Sequence, residues 1–197
     1  MTSRPHDRFD AFVSEVSALV AQTSDEAAIL ARAAPMLAEL VGRDDWLPRA
    51  YAEPGKRDYR QYLLYRDAWA RFCVVSMAWA PGQGTPVHDH TVWGLVGMLR
   101  GAELCQNYAV VGDALRPVGE ARRLHPGDVV AVSPRVGDIH RVANAWHDQV
   151  SVSIHVYGAD IGTVRRSTFD ASGARLPFVS GYAGLPPLRE PVCGSYA

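Results

Sequence analysis

The sequence predicts a mainly β domain, a sandwich or barrel, with a helical segment in front of it. Three observations carry that expectation. The helical spacing of apolar residues gives way near Tyr59, seven short β-branched and aromatic runs follow, and Gly, Pro, Asp or Asn fills the gaps between them. With 197 residues, 48% of them hydrophobic and 21% charged, the chain can bury one core of ordinary size.

Phe9, Phe12, Val13, Val16, Leu19 and Val20 recur at helical spacing between Asp7 and Gln22 and give that segment one apolar face. Thr23-Ser24-Asp25-Glu26 then supplies capping groups and early acids for a second helix that runs through Leu40 and stops at Gly42. The two helices, within residues 1–45, are expected to lie antiparallel and to cover one face or edge of a sheet. Strands are expected at Gln61–Tyr65, Phe72–Trp79, Val92–Leu99, Glu103–Val110, Val129–Val132, Ile139–Ala143 and Val150–Val156. Turns separate them at Pro81-Gly82-Gln83-Gly84, Val111-Gly112-Asp113, His125-Pro126-Gly127-Asp128 and Val136-Gly137-Asp138. Residues 59–180 thus form the β part of a single domain, and the proline-rich residues 181–197 are expected to lie extended on the surface or to fray.

Twenty basic residues against 21 acidic ones give a net charge of -1 with no long block of one sign, which argues against nucleic acid as a partner. No apolar run approaches the roughly 18–20 residues of a membrane span, and the first residues lack the basic-then-apolar pattern of a signal peptide. Cys73, Cys105 and Cys193 are odd in number, widely spaced and without a CxxC pair. They suit a reduced, cytoplasmic compartment.

The chemistry centres on Pro86-Val87-His88-Asp89-His90, between a Gly-rich turn and a strand. In extended chain, residues i and i+2 point to one side, so His88 and His90 can aim two imidazoles at one point while Asp89 faces away. An HxH alone equally describes two surface or hydrogen-bonded histidines. Further along, Ser153, His155 and Tyr157 alternate on one strand and share a face, either as a hydrogen-bonded row or as a polar outer surface. His6, His125 and His147 have no comparable neighbours.

The wider spacing resembles the two motifs of the cupin superfamily. Gly82, five residues, His88, one residue, His90 and ten more to Gly101 form the first; Pro134, Gly137, two residues, His140, three residues and Asn144 form the second. The resemblance implies a double-stranded, jelly-roll-like β-barrel with a metal in its interior. In the common first motif a Glu ligand stands four residues after the second His, where this chain has Gly94, so the implied ligands are His88, His90 and His140 alone. Three neutral ligands leave more positive charge on the metal than a two-His-one-carboxylate triad does, which favours an anionic thiolate; zinc is the alternative ion for such a set.

The replaced Glu, the segment Trp79 to Gly94 with its His-Asp-His-Thr, and the Ser153-His155-Tyr157 row resemble the cysteine dioxygenase family of thiol dioxygenases. They are closest to its bacterial Gln-type branch, which includes 3-mercaptopropionate dioxygenases. The resemblance implies ferrous iron, a small thiol carboxylate and O2 as reactants, and a sulfinate product. It also implies Tyr157 beside the iron, oriented by His155 and Ser153, with Gln61 and Arg166 on the substrate carboxylate; Arg165 is the neighbouring alternative and Arg60 points to the other side of its strand. Trp93-Gly94-Leu95-Val96 holds no cysteine for the Tyr cross-link of mammalian members. Two further readings stay open: a cupin enzyme using another metal, and a non-catalytic cupin that binds a metal or small molecule.

Overall fold

The computed structural model describes residues 5–191; Cys193 and the end of the proline-rich tail lie outside them. Two helices come first, α1 (Pro5–Gln22) and α2 (Glu26–Val41). The Asp25 carboxylate caps α2 by accepting from the Ala27 amide, and the Gly42 amide closes its far end on the Ala38 carbonyl. Eleven strands follow: β1 (Arg60–Arg66), β2 (Cys73–Trp79), β3 (Val87–His88), β4 (Gly94–Arg100), β5 (Glu103–Val111), β6 (Ala114–Leu124), β7 (Val129–Val132), β8 (His140–Asn144), β9 (Ser151–Tyr157), β10 (Arg166–Phe169) and β11 (Arg175–Phe178). They make one sheet in the order β1-β2-β9-β4-β7 and a second in the order β11-β10-β3-β8-β5-β6. The fold is mainly β, a double-stranded barrel with two helices at its N-terminal end.

The helices cover the outer face of the first sheet. Val152, Ile154 and Val156 of β9, Leu95 and Leu99 of β4 and Val74 of β2 pack in one cluster with Phe12, Val16, Leu37 and Leu40 of the helices. Each such side chain contributes about 1.5–3 kcal/mol when fully buried. Gly97 sits directly under α2, where a Cβ would come within 2.8 Å of Leu37 Cγ. Because both faces of this sheet are covered, β2 and β9 are buried along their whole length. The alternate residues of β9, Ser153, His155 and Tyr157, therefore face the barrel interior and not solvent. That removes the outer-surface reading of the row.

Four strands lack a counterpart in the sequence reading. β6 is exposed along nearly its whole length and carries Arg116, Arg122 and Arg123, so no apolar alternation marks it. β3, β10 and β11 have two to four residues each, too short to show a period. The described part of the tail is held down: the Arg189 amide donates to the Leu64 carbonyl at 3.0 Å, and its guanidinium pairs with Asp10 at 2.8 Å. Among the described residues no helix is long and apolar enough to cross a membrane.

Candidate metal centre

Strand register brings the three histidines together. β3 is antiparallel to β8 with His88 directly opposite His140, and His90, two positions after His88, presents its ring to the same point. The three ring centroids lie 4.8–4.9 Å apart and one ring nitrogen from each falls within 4.8 Å of the other two. All three residues are buried.

Each ring is turned by a contact at Nδ1. His88 Nδ1 faces the Pro86 carbonyl at 3.1 Å, His90 Nδ1 faces the Asp138 carboxylate at 3.1 Å and its carbonyl at 3.2 Å, and His140 Nδ1 meets Cys105 Sγ at 3.4 Å. With Nδ1 so engaged, Nε2 is left to face the common point, the arrangement by which outer partners fix a metal-binding imidazole. His90 Nε2 is buried and has no hydrogen-bond partner, an orphan that a cation between the rings would satisfy. Burial and the neighbouring His90 push His88 down to about 3, and the same causes hold His140 well below its ordinary value. Both rings are thus neutral, as ligands must be. The site fits a divalent ion with three protein ligands and open positions, which describes ferrous iron and also zinc.

The Ser153 hydroxyl lies 2.8 Å from His155 Nε2, and His155 Nδ1 lies 2.8 Å from the Tyr157 hydroxyl. The Tyr157 ring stacks on His90 with centroids 5.5 Å apart. Gly94 explains how the ring fits: a Cβ at that position would lie 2.7 Å from Tyr157 Cδ1. The place where the common motif carries a Glu ligand is occupied here by the tyrosine. Burial pushes the Tyr157 hydroxyl above its ordinary value and His155 down to about 3.

A cavity of about 190 Å³ opens onto His88, His140, His155 and Tyr157. Gln61, Arg166, Tyr59 and Phe178 also line it, and among the described residues no acidic one does. Arg166 is buried, its guanidinium stacks on the Phe178 ring at 4.7 Å, and Nη2 donates to Ser180 Oγ at 2.7 Å. Its Nε has no partner, and no carboxylate among the described residues pairs with it. Gln61 Nε2 donates to Ser180 Oγ and the Gly181 carbonyl at 3.1 and 2.9 Å. Arg60 and Arg165 are exposed, as are His125 and His147.

A family model described as cysteine dioxygenase type I matches residues 15–172, most of the chain. The chain belongs to the cysteine dioxygenase type I family. This family member is also similar in fold to a cupin-like protein from Thermotoga maritima, at 21% identity over 61% of this chain and 86% of that one, with a TM-score of 0.45. A cupin superfamily protein from Desulfitobacterium hafniense matches at 17% identity, 60% and 94% coverage and TM-score 0.43. An uncharacterized conserved protein with a double-stranded beta-helix domain from Klebsiella pneumoniae matches at 15%, 66% and 91%, and 0.45.

Several residues that shape the site of this cysteine dioxygenase family member carry no local signal in the sequence. Asp138, read only as part of a turn, holds His90 by side chain and backbone and also accepts from the Thr91 amide. Burial works to raise its pKa, but the hydrogen bonds from His90 and Thr91 outweigh it and keep the carboxylate low. Asp89 points away from the ligands, as the strand period requires, and accepts from the Ser167 amide at 2.7 Å, tying the ligand segment to β10. Cys105 lies against His140 and Glu103 is fully buried behind the Ser153 row. These partners stand 35 to 78 positions from the residues they support.

Proposed function

We propose that the protein is a ferrous-iron thiol dioxygenase whose substrate is a small mercapto-acid, 3-mercaptopropionate before cysteine. Thiol and O2 combine to the sulfinic acid, with both oxygen atoms on sulfur. His88, His90 and His140 hold the iron, which when bound lowers the thiol pKa and gives sulfur and O2 one meeting point.

The observation that carries this reading is Arg166. A guanidinium buried without a carboxylate partner, on the same 190 Å³ cavity as two of the histidines, is a preformed site for an acid. Its Ser180 and Phe178 contacts hold it in place, and Gln61, fastened to the same Ser180, stands beside it. The cavity offers one cation and no anion, so the ammonium of cysteine would enter without a counter-charge, whereas a mercapto-acid brings none. Met77, Trp79 and Val142 give the cavity apolar walls, and Tyr157, oriented by His155 and Ser153, lines it as well. Free Cys73, buried, and Cys105, set against a ligand, support a reduced, cytoplasmic location.

Oxygen consumption by iron-loaded protein with 3-mercaptopropionate, cysteine and cysteamine in parallel tests the reading. Uptake should be fastest with 3-mercaptopropionate and absent with cysteamine, which has no carboxylate. Arg166→Met should raise KM for the acid by roughly 10- to 100-fold, the worth of about 1.5–3 kcal/mol in a charged hydrogen bond. No uptake with any thiol overturns the dioxygenase reading, and preference for cysteine overturns the substrate.

A further inference from the structure

Glu103 begins β5 and is 0% exposed. Its neighbours are the hydroxyls of Ser151 and Ser153 and the indole of Trp79. None of these contacts closes to a full hydrogen bond: both carboxyl oxygens and the Ser151 hydroxyl lack a partner, while Trp79 Nε1 is turned onto Ser153 Oγ at 3.4 Å. Among the described residues no cation faces the acid. Asn144 of β8, across the strand pair, spends its amide on the Trp79 and Gln149 carbonyls. Leu124 is opposite on β6, whose Arg122 and Arg123 are exposed. Cys105, two positions on, holds a thiol pushed up to about 11 by burial first and by Glu103 second. A buried carboxylate without a cation costs several kcal/mol, so the group takes up a proton instead. Burial pushes Glu103 up to about 8, with Ser153, Ser151 and Trp79 opposing in part.

We propose that Glu103 is a positioning residue, a neutral carboxylic acid at the buried end of the Ser153-His155-Tyr157 row that sets the direction in which every hydrogen of the row points. A neutral imidazole has one N–H and one lone pair, so the row has only two polarities. With Glu103 as donor to Ser153, the Ser153 hydroxyl donates to His155 Nε2, His155 Nδ1–H donates to the Tyr157 oxygen, and the Tyr157 hydrogen is left for the cavity. Once ionised, Glu103 only accepts. Ser153 then turns its hydrogen to the carboxylate, His155 carries its proton on Nε2, and Tyr157 donates inward with only lone pairs toward the cavity. No proton leaves the row in either state except the one from Glu103.

The hydrogen-bond order rests on the complete burial of Glu103 beside Ser153 and on the two 2.8 Å contacts of the row, whereas its consequence for turnover rests on the dioxygenase reading. Ring-nitrogen NMR of His155 in the full-length protein, loaded with diamagnetic zinc, reads the order directly. The proton should sit on Nδ1 at neutral pH and move to Nε2 as pH rises through about 8. In Glu103→Gln, whose amide donates at every pH, it should stay on Nδ1 throughout. In iron-loaded enzyme, kcat for 3-mercaptopropionate should fall above the same pH in the parent and not in Glu103→Gln. Glu103→Leu should lower kcat about tenfold with little change in KM, the loss of one hydrogen bond's worth. An Nε2 proton at neutral pH, or one pH response shared by the parent and Glu103→Gln, overturns the proposal, and should Glu103→Leu fail to fold, the Gln comparison still decides. If the parent consumes no oxygen with any thiol, the dioxygenase reading falls while the NMR result still judges Glu103.

Discussion

Replacing Gly94 by alanine should disable the site without removing any group that touches a ligand. The added Cβ would stand 2.7 Å from Tyr157 Cδ1, 3.0 Å from Cε1 and 3.0 Å from Val132 Cγ2. Relaxed carbon contacts lie at about 3.5–4.0 Å, so the ring must retreat by roughly 0.8 Å or more. It has little room, because it stacks on His90 and its hydroxyl is tied to His155 at 2.8 Å. Overpacking of this kind costs about 1–3 kcal/mol, more than the roughly 0.4–1 kcal/mol that losing a glycine returns through the unfolded chain. At about 2–4 °C per kcal/mol, Tm should fall by several degrees. Displacing a catalytic hydroxyl by about 1 Å can cost on the order of 100-fold in rate. Calorimetry, iron content and oxygen uptake on the one variant give all three quantities. A Gly94→Ala protein with parental Tm and parental turnover would show that Tyr157 is neither confined nor needed where it lies.

Asp138→Ala should weaken metal binding by about 10- to 100-fold, measured by competition with a chelator, because His90 loses the carboxylate that orients it. Glu103 should make stability fall with pH. Its folded pKa of about 8 lies above its ordinary 4.5, so the folded state holds the proton more tightly; the cost is absent below pH 4.5, grows up to about 8 and then levels off. Thermal melts across that range should therefore flatten in Glu103→Gln.

The parts of the site that could be read from the sequence are those governed by one strand's geometry. His88 and His90 share a side because the chain there is extended, and Ser153, His155 and Tyr157 share one because β9 is a strand. His140 was found through motif spacing. β-branched and aromatic runs between turn residues mark β1, β2, β4, β5, β7, β8 and β9, whereas arginine-rich β6 escapes because solvent bathes it and selects no apolar residue there.

Sequence alone determined the choice of His88, His90 and His140 as candidate ligands, the missing carboxylate at Gly94 and the alternation of the polar row, since each depends on covalent order and motif spacing. Only the tertiary structure decided which face of β9 is interior, which of Arg165 and Arg166 is buried, and that Asp138, Cys105 and Glu103 stand behind the site. The physical reason is distance along the chain: burial and second partners come from strands paired across dozens of residues, and no local pattern encodes what a strand will be laid against.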